Sequence, residues 1–171
     1  MKQIPIADRK GLIVDYALVD DSDFGWLSKW RWGLLKVRGL RYARRYERTG
    51  YKTKRAILMH REILGLRKGE LGDHKDHNGL NNQRENVRLA THSQNMANRP
   101  CQKNNSCGLK GIYYWQAAPG RAYWKMQIQG NGSKNKALYF KTKEEAAKAY
   151  DNAARRLHGE FAVTNFSLEA A

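Results

Sequence analysis

The pattern of apolar and polar positions in the first third of the chain predicts several strands and one short helix. Residues 12–19 form an apolar, β-branched run that is typical of a strand. Residues 20–30 begin with capping aspartates and continue with Phe24, Trp26, Leu27 and Trp30, which predicts a short helix whose aromatic side chains enter a core. Further apolar runs, broken at Gly39 and at Thr49-Gly50, predict strands within 32–37, 40–48 and 51–60.

The middle of the chain changes pattern more quickly. One or two helical turns are predicted in 58–65, and they end at Gly65. A strand is then predicted within 69–74, a polar loop over 75–86 and a return strand over 87–90. Thr91 is a natural N-cap for a helix that follows. The predicted order is strand, loop, strand, helix.

The last third predicts a small sheet backed by one helix. Strands are expected in 111–116, 122–130 and 135–141, with turns at "AAPGRA" and "GNGSKN". Thr142 and Glu145 form a capping box before a run with Ala and Tyr at helical spacing, and Gly159 ends that run. The whole pattern predicts an α+β protein in which a three-stranded antiparallel sheet packs on one helix at the C-terminal end.

The charge balance narrows the class of partner. The chain has 171 residues, 32 Lys and Arg against 16 Asp and Glu, a net charge of +16 and a pI near 10.0. Such an excess is typical of proteins that bind nucleic acid. A ribosomal component and a protein of anionic membrane surfaces are the alternatives. The sequence has no long apolar run, and its first residues predict no signal peptide. We therefore expect a cytoplasmic protein that contacts DNA or RNA and does not enter a membrane.

Two cysteines, Cys101 and Cys107, lie in the Asn-rich segment 99–108, which is interrupted by Pro100 and Gly108. A structural zinc site needs two further ligands at suitable spacing, and His158 lies far away in a helical pattern. We therefore expect no structural zinc. The composition of 99–108 instead predicts a linker between residues 1–98 and residues 109–168.

Candidate chemistry is concentrated in "GDHKDHNGLNNQRENVRLATHSQN", residues 72–95. Hydrolysis of a phosphodiester needs a cation to neutralise charge and a base to activate water. Asp73 is a hard oxygen ligand suited to one Mg²⁺ or Mn²⁺, His74 can accept a proton near neutral pH, and Asn95 offers an amide oxygen as a second ligand. The alternative is a polar loop without chemistry.

Residues 58–98 resemble the HNH endonucleases, in particular the phage and intron-encoded homing type. That group has an Asp-His pair, then Asn-Asn before a further Asn, then an Asn in the following helix. The resemblance implies a ββα-metal fold in which Asp73 and Asn95 hold the metal ion, His74 is the general base, and Asn86 orients that base and braces the loop. It also implies a supporting role for His60.

The spacing distinguishes the two Asp-His pairs. In this family the middle Asn lies twelve residues after the base and the last ligand twenty-one after it; counted from His74, these positions are Asn86 and Asn95. Counted from His77 they are Leu89 and Asn98, and a leucine can neither orient a base nor bind a cation. The first pair is therefore the predicted site. His77 stands where the family more often has Gly.

A DNA-binding surface is predicted on the C-terminal sheet, because basic, amide and aromatic side chains can read the major groove. Within the middle strand, Met126 and Ile128 should face the helix, and for Trp124 a core position is an equal alternative. The candidate contacts are Lys110, Tyr113, Trp115, Arg121, Trp124, Lys125, Gln127, Gln129, Lys134 and Lys136. The segment "RYARRYE" could similarly lie along phosphates or form a solvated β-surface.

Residues 109–166 are similar to the Apetala-two or ethylene-response-factor DNA-binding domain. "GLKGIYY", "YWKMQIQ" and, above all, "AAKAYDNAARRLHGEFAVTNF" carry the resemblance. It implies that the sheet enters the major groove. Tyr113 and Trp115 stand where plant members often have Arg, so the base preference of those proteins does not transfer.

These patterns together predict a site-specific, metal-dependent DNA endonuclease of the homing type, monomeric, encoded by a phage and acting in the cytoplasm of a bacterial host. The alternatives are a non-catalytic DNA-binding regulator with a degenerate nuclease module, and an RNA-binding or ribosomal protein.

Overall fold

A computed structural model of the chain describes residues 1–37, 39–102, 104–129 and 136–167. It is an α+β protein with several small antiparallel sheets. Its contacts divide the chain into two compact units, Met1–Thr91 and His92–Ala171. Within the described part of the chain, no helix combines the length and the apolar character that crossing a membrane requires.

The first unit contains seven strands and two short helices among the described residues. In chain order they are β1 (Lys2–Ala7), β2 (Ile13–Val19), α1 (Asp21–Leu27), β3 (Gly33–Val37), β4 (Leu40–Gly50), β5 (Thr53–Leu58), α2 (Met59–Ile63), β6 (Leu71–His74) and β7 (Val87–Ala90). The strands form the antiparallel pairs β1–β2 and β6–β7 and the three-stranded sheet β3–β4–β5.

One hydrophobic core joins these elements. Ile4 and Ile6 from β1, Ala17 and Val19 from β2, and Leu27, Trp32 and Met59 have at most 1% of their surface exposed. The Trp32 indole Nε1 donates to the Leu27 carbonyl at 2.9 Å, so even the largest buried side chain has a partner for its polar group. Val87 of β7 belongs to the same core, which places the predicted hairpin directly on it.

The second unit begins with α3 (His92–Ala97) and continues with β8 (Ile112–Ala118), β9 (Arg121–Ile128), β10 (Lys136–Phe140) and α4 (Lys143–His158), followed by a 3-10 turn at Gly159–Phe161. The strand order is β10-β9-β8, all antiparallel. Its core is formed by Ile112, Met126 and Ile128 of the sheet and by Ala146, Ala147, Tyr150 and Ala154 of α4. Met126 and Ile128 face the helix, as the alternation predicts.

Helix α4 starts where its capping box predicts. Thr142 Oγ1 accepts from the Glu145 N–H, and the Glu145 carboxylate accepts from the Thr142 N–H, both at 3.2 Å. The small alanines that face the sheet allow a close approach of helix and strands, and Gly111 has the same effect opposite Tyr150. A Cβ on Gly111 would lie 2.2 Å from the Tyr150 ring.

The predicted linker contains local structure of its own. The Asn105 Nδ2 donates to the Leu109 carbonyl at 2.8 Å, and the Asn105 Oδ1 accepts from the Cys107 N–H at 3.0 Å. Helix α3 contacts α4 and the 3-10 turn, so it belongs to the second unit. The predicted domain boundaries at 98 and 109 stay a prediction.

Candidate active site

Asp73 and His74 end strand β6, the first arm of the hairpin β6–β7. Asp73 pairs with Arg88 across the hairpin and His74 pairs with Val87. Both polar side chains are buried, each with 6% of its surface exposed. The Arg88 Nε donates to Asp73 Oδ2 at 3.0 Å. The hairpin thus fixes a carboxylate and an imidazole at adjacent positions, and an arginine neutralises the carboxylate.

The second Asp-His pair builds the loop that follows. Asp76 Oδ1 accepts from the Asn78 N–H at 2.8 Å and from Asn86 Nδ2 at 2.9 Å, and Asp76 Oδ2 accepts from Asn81 Nδ2 at 2.7 Å. Burial raises the pKa of Asp76, but these hydrogen bonds outweigh it and hold that pKa below its usual range. Asp76 is therefore an ionised acceptor that organises the turn.

Asn86 ties the two ends of this loop together. Its Oδ1 accepts from the Asp76 N–H at 3.1 Å, its Nδ2 donates to the Asn81 carbonyl at 2.7 Å, and its own carbonyl accepts from the Lys75 N–H at 2.9 Å. Each polar group of the residue is thereby used within residues 75–86. Its predicted influence on the His74 base would act through the shape of this loop.

Elements from the N-terminal half fasten the loop from outside. The Leu18 N–H donates to the Leu80 carbonyl and the Asn82 N–H donates to the Leu18 carbonyl, both at 2.8 Å. Arg84 donates from its Nε and Nη2 to the two carboxylate oxygens of Asp23 on α1, each at 2.7 Å. The Arg84 hydrogen bond is the main reason that the pKa of Asp23 is lowered. Strand β2 and helix α1 thus support the loop at two points.

Two aromatic rings flank the His74 imidazole. The His60 and His74 rings lie edge to face with centroids 4.8 Å apart, and the Tyr42 ring centroid lies 5.9 Å from each. Gly72 permits this packing, because a Cβ there would lie 2.6 Å from His60 Cδ2. Helix α2 holds His60 in place through Glu62, which accepts from the Arg45 Nε on β4 at 2.9 Å.

Both imidazoles are disposed to be uncharged. Burial lowers the pKa of His60 to about 3, with a further contribution from His74 and Arg61. Burial also lowers the pKa of His74, although a hydrogen bond with Asn82 and the charges of Asp76 and Asp73 act in the opposite direction. A neutral His74 has the protonation state that a general base needs.

Asn95, the other predicted ligand, lies on α3 in the second compact unit. Among the described residues, no group of three or more His, Cys, Asp or Glu side chains gathers in a way that would hold a metal ion. The predicted ligand set is of another kind, one carboxylate and one carboxamide. Hard oxygen donors of this type fit Mg²⁺ or Mn²⁺, which keep water ligands and take others from substrate phosphate.

The outer face of the C-terminal sheet holds several of the predicted DNA contacts. Tyr113 and Lys125 are cross-strand partners, and Lys125 is also paired with Tyr139. Trp115 lies beside them, with its ring centroid 6.4 Å from that of Tyr139 and 5.7 Å from Lys125 Nζ. Tyr113, Trp115 and Tyr139 are about half exposed. Gln129 and Arg121 are exposed, and Gln127 is half-buried.

Other predicted contacts are placed differently. Trp124 lies on the helix-facing side and packs against the core of the second unit, the alternative that the sequence left open. Lys110 is half-buried, its Nζ donates to the Ala97 carbonyl, and burial lowers its pKa to about 8. Lys134 and the side chain of Lys136 lie outside the described residues. A DNA contact by any of them stays a prediction.

The segment "RYARRYE" lies on β4, and its side chains divide between the two faces of the sheet. Tyr46 is flanked by Arg44 and Lys54, whose charged groups lie 5.0 and 4.6 Å from its ring centroid. Arg9 and Lys36 line the same groove on the first unit. This arrangement is compatible with phosphate contact.

Sequence reasoning missed three residues that contact the predicted pair, namely Arg88, Tyr42 and Asn82. Arg88 could have been found from the hairpin register, since the register of a short hairpin fixes which residues lie opposite each other. Asn82 was visible as half of the Asn-Asn pair but had no assigned role. Tyr42 reaches His74 only through tertiary packing, which has no local sequence signal.

Comparisons with known proteins identify two relatives. The chain is 37% identical over 93 residues, 54% of its length, to an uncharacterised HNH endonuclease of Acanthamoeba polyphaga mimivirus, and it spans only 46% of that protein. It is 34% identical over 95 residues, 56% of its length, to Protein 3.8 of Escherichia phage T7 and spans 75% of that protein. No family model matches the chain, and no solved structure matches it. The first similarity supports an HNH-type nuclease at the level of the family.

Proposed function

Since the chain belongs to the same family as Protein 3.8 of Escherichia phage T7 and has a relative named as an HNH endonuclease, we propose that it is a site-specific, metal-dependent DNA endonuclease. It acts as a monomer with one active centre, in the cytoplasm of a bacterial host, from a phage-borne gene of the homing type. The observation that carries this proposal is the pair Asp73-His74, held at the end of a hairpin whose loop is anchored by hydrogen bonds at both ends.

His74 is the general base in this proposal. An uncharged imidazole can accept the proton of a water molecule as that water attacks phosphorus. The packing of His60 and Tyr42 against the ring restricts how it can turn. The carboxylates of Asp73 and Asp76 stabilise the imidazolium that forms, because they favour its charged state. As the water oxygen bonds to phosphorus, the bond from phosphorus to the leaving oxygen breaks. That oxygen takes a proton from water, and the ring returns its own proton to solvent.

Asp73 and Asn95 would hold one Mg²⁺ or Mn²⁺ in a ββα-metal arrangement of β6, β7 and α3. When bound, the cation would neutralise charge on the phosphate and the leaving oxygen. Arg88 donates from Nε to Asp73 Oδ2 and so fixes the orientation of that carboxylate. Asn86 maintains the loop on which this arrangement depends.

The second unit would hold the target duplex by the outer face of its sheet, in the manner of an Apetala-two type domain. Lys125 and Arg121 supply positive charge, Gln127 and Gln129 supply amides that can pair with adenine, and Trp115 supplies apolar contact. The exposed aromatic side chains support this assignment, since a solvated sheet face rarely presents several of them together.

The ion pair between Arg88 and Asp73 favours one alternative, a DNA-binding regulator that has lost cleavage. Arg88 Nε occupies Asp73 Oδ2 within a buried environment, and a cation would compete with it for the carboxylate. Such a protein would still bind a specific DNA sequence, but it would not cut that DNA in the presence of any divalent cation.

The test is cleavage of phage and bacterial genomic DNA by the full chain with Mg²⁺ or Mn²⁺. We expect discrete fragments from the wild type and none from His74→Ala. His77→Gly is the matched control, because it removes the imidazole of the other Asp-His pair at a position whose φ of 62° favours glycine. Equal cutting by the wild type and His74→Ala would refute the assignment, and loss of cutting in His77→Gly alone would transfer it to the second pair.

A further inference from the structure

Asn82 is the residue of the loop 75–86 that reaches the imidazole. It has 0% of its surface exposed, and its Oδ1 lies 3.4 Å from His74 Nε2. The hydrogen bond of its backbone N–H to the Leu18 carbonyl, at 2.8 Å, fixes the residue on β2. Strand β2 thus helps to hold the backbone of Asn82 beside the ring, together with the loop itself.

A neutral imidazole carries one N–H and one bare nitrogen, and the partner of either nitrogen decides which is which. A carbonyl oxygen can only accept a hydrogen bond, so Asn82 Oδ1 stabilises the tautomer in which Nε2 is protonated. We propose that Asn82 is a positioning residue that holds His74 in its Nε2–H tautomer and so leaves Nδ1 as the nitrogen that takes the proton from water. This assignment rests on the proposed function only in the last step, the identity of the reacting nitrogen.

The other end of the Asn82 carboxamide supports a role beyond stability. Its Nδ2 is buried and has no hydrogen-bond partner among the described residues. A buried donor without a partner destabilises a fold, and an apolar side chain of the same size would avoid that cost. The carboxamide is therefore in place for the contact that its oxygen makes. Rotating the amide by half a turn would point Nδ2 at His74, and it would then favour the opposite tautomer.

Asn82 and Asn86 have separate roles in this assignment. The side-chain oxygen and the side-chain nitrogen of Asn86 both bind within the loop, to Asp76 and Asn81. Asn86 therefore maintains the loop, whereas Asn82 contacts the base directly. Loss of either would impair cleavage, but only loss of Asn82 should change which nitrogen of His74 carries the proton.

The tautomer can be read without DNA or metal. Nitrogen-15 spectra of the full chain labelled at histidine, recorded in mildly basic buffer, separate the protonated from the bare ring nitrogen, and His74→Gln assigns the His74 signals. We expect Nε2–H in the wild type, a mixture or the Nδ1–H form in Asn82→Leu, and Nε2–H again in Asn82→Asp, which keeps an oxygen at the same place. Asn81→Ala, which loosens the loop without removing the contact, should keep Nε2–H.

Cleavage kinetics give the second readout. Asn82→Leu should lower kcat about 100-fold with little change in KM, since a wrong tautomer affects the chemical step and not DNA binding. A wild-type His74 in the Nδ1–H form, or an Asn82→Leu protein that keeps Nε2–H, would overturn the assignment. If Asn82→Leu does not fold, the wild-type and Asn82→Asp spectra decide it. If the wild type cuts no DNA, the proposed function fails, while the spectra still test the contact between Asn82 and His74.

Discussion

His60 and His74 lie edge to face, and both rings are buried. Burial lowers the pKa of His60, and a charge on His74 lowers it further. The resulting pKa of about 3 for His60 means that the ring remains neutral in any buffer in which the protein would act. His60 can therefore pack against the proposed base without repelling the imidazolium that forms during turnover.

This pKa makes stability depend on pH. Below a pH of about 6.5 the unfolded chain binds a proton at His60, whereas the folded protein does so only near 3. The free energy of unfolding should therefore be at its full value above pH 6.5 and should fall as the pH drops from 6.5 towards 3, by up to about 1.4 kcal/mol per pH unit. His60→Gln should show a flatter profile in urea unfolding. Identical profiles for both proteins would contradict the pKa of His60.

His77 has a backbone conformation that residues other than glycine rarely adopt. Its φ of 62° lies in the left-handed region, where glycine has no steric penalty. This conformation gives a physical reason for the glycine that HNH homing endonucleases more often have at the position.

Two substitutions isolate this backbone effect, because both remove the imidazole. We expect His77→Gly to be more stable than His77→Ala by about 1 kcal/mol in thermal or urea unfolding. Equal stability of the two variants would mean that the loop adapts its backbone, and the proposed reason for the preference would be lost.

At the scale of elements, hydrogen bonds among its own side chains set the shape of the loop 75–86, and contacts with neighbouring elements set its position. Gly79 lets it lie directly on β4, since a Cβ there would come within 2.3 Å of the Arg41 carbonyl. Asp20 and Asp23 at α1 hold Arg84 by its backbone N–H and its guanidinium. Residues 1–57 thus support the candidate site.

The Arg84–Asp23 pair should contribute to stability in proportion to the burial of Asp23, which has 1% of its surface exposed. Arg84→Met should lower the free energy of unfolding by about 2 kcal/mol at neutral pH. The pairing lowers the pKa of Asp23, so this stabilisation is present above the unfolded value and disappears as the pH falls below about 4.

Arg55→Met is the matched control, because it removes an arginine from an exposed pair with Glu47. Its effect should be below about 1 kcal/mol. A similar loss in both variants would show that the contact with α1 adds nothing beyond an ordinary surface ion pair.

The hairpin, the capping box of α4 and the alternation in β9 have local sequence signals, and the structure has these elements where the patterns predict them. Strand β1 was missed because Pro5 interrupts a short alternation of Ile4 and Ile6. Proline is tolerated at the edge of a sheet, and both isoleucines are buried. The contacts of Arg84 with Asp23 and of Leu18 with Asn82 join residues more than 60 apart in the chain, and no local pattern encodes them.

At the scale of the whole molecule, the charge of +16 predicts how DNA binding depends on salt. Each phosphate that the protein neutralises releases counterions, so affinity should fall steeply as salt increases. On the outer face of the C-terminal sheet, basic and exposed aromatic side chains combine on one strand pair.

A double variant, Trp115→Ala with Lys125→Ala, should weaken binding of the full chain to duplex DNA by about tenfold or more, and should reduce the slope of log affinity against log salt by about 1. Lys148→Ala is the control, since Lys148 is an exposed lysine on α4, the helix that packs on the other side of this sheet. Affinity and salt slope are measured by fluorescence anisotropy. If the double variant and Lys148→Ala change them equally, the sheet face is excluded as the DNA contact.

The most direct test of the proposed metal site is a crystal of the full chain soaked in Mn²⁺, with anomalous diffraction recorded at the manganese edge. We expect one anomalous peak that is bound by the carboxylate of Asp73 and the carboxamide of Asn95, and we expect its loss in Asp73→Ala. An absence of the peak between these two side chains, or side chains that point to opposite sides of the fold, would contradict the proposed site.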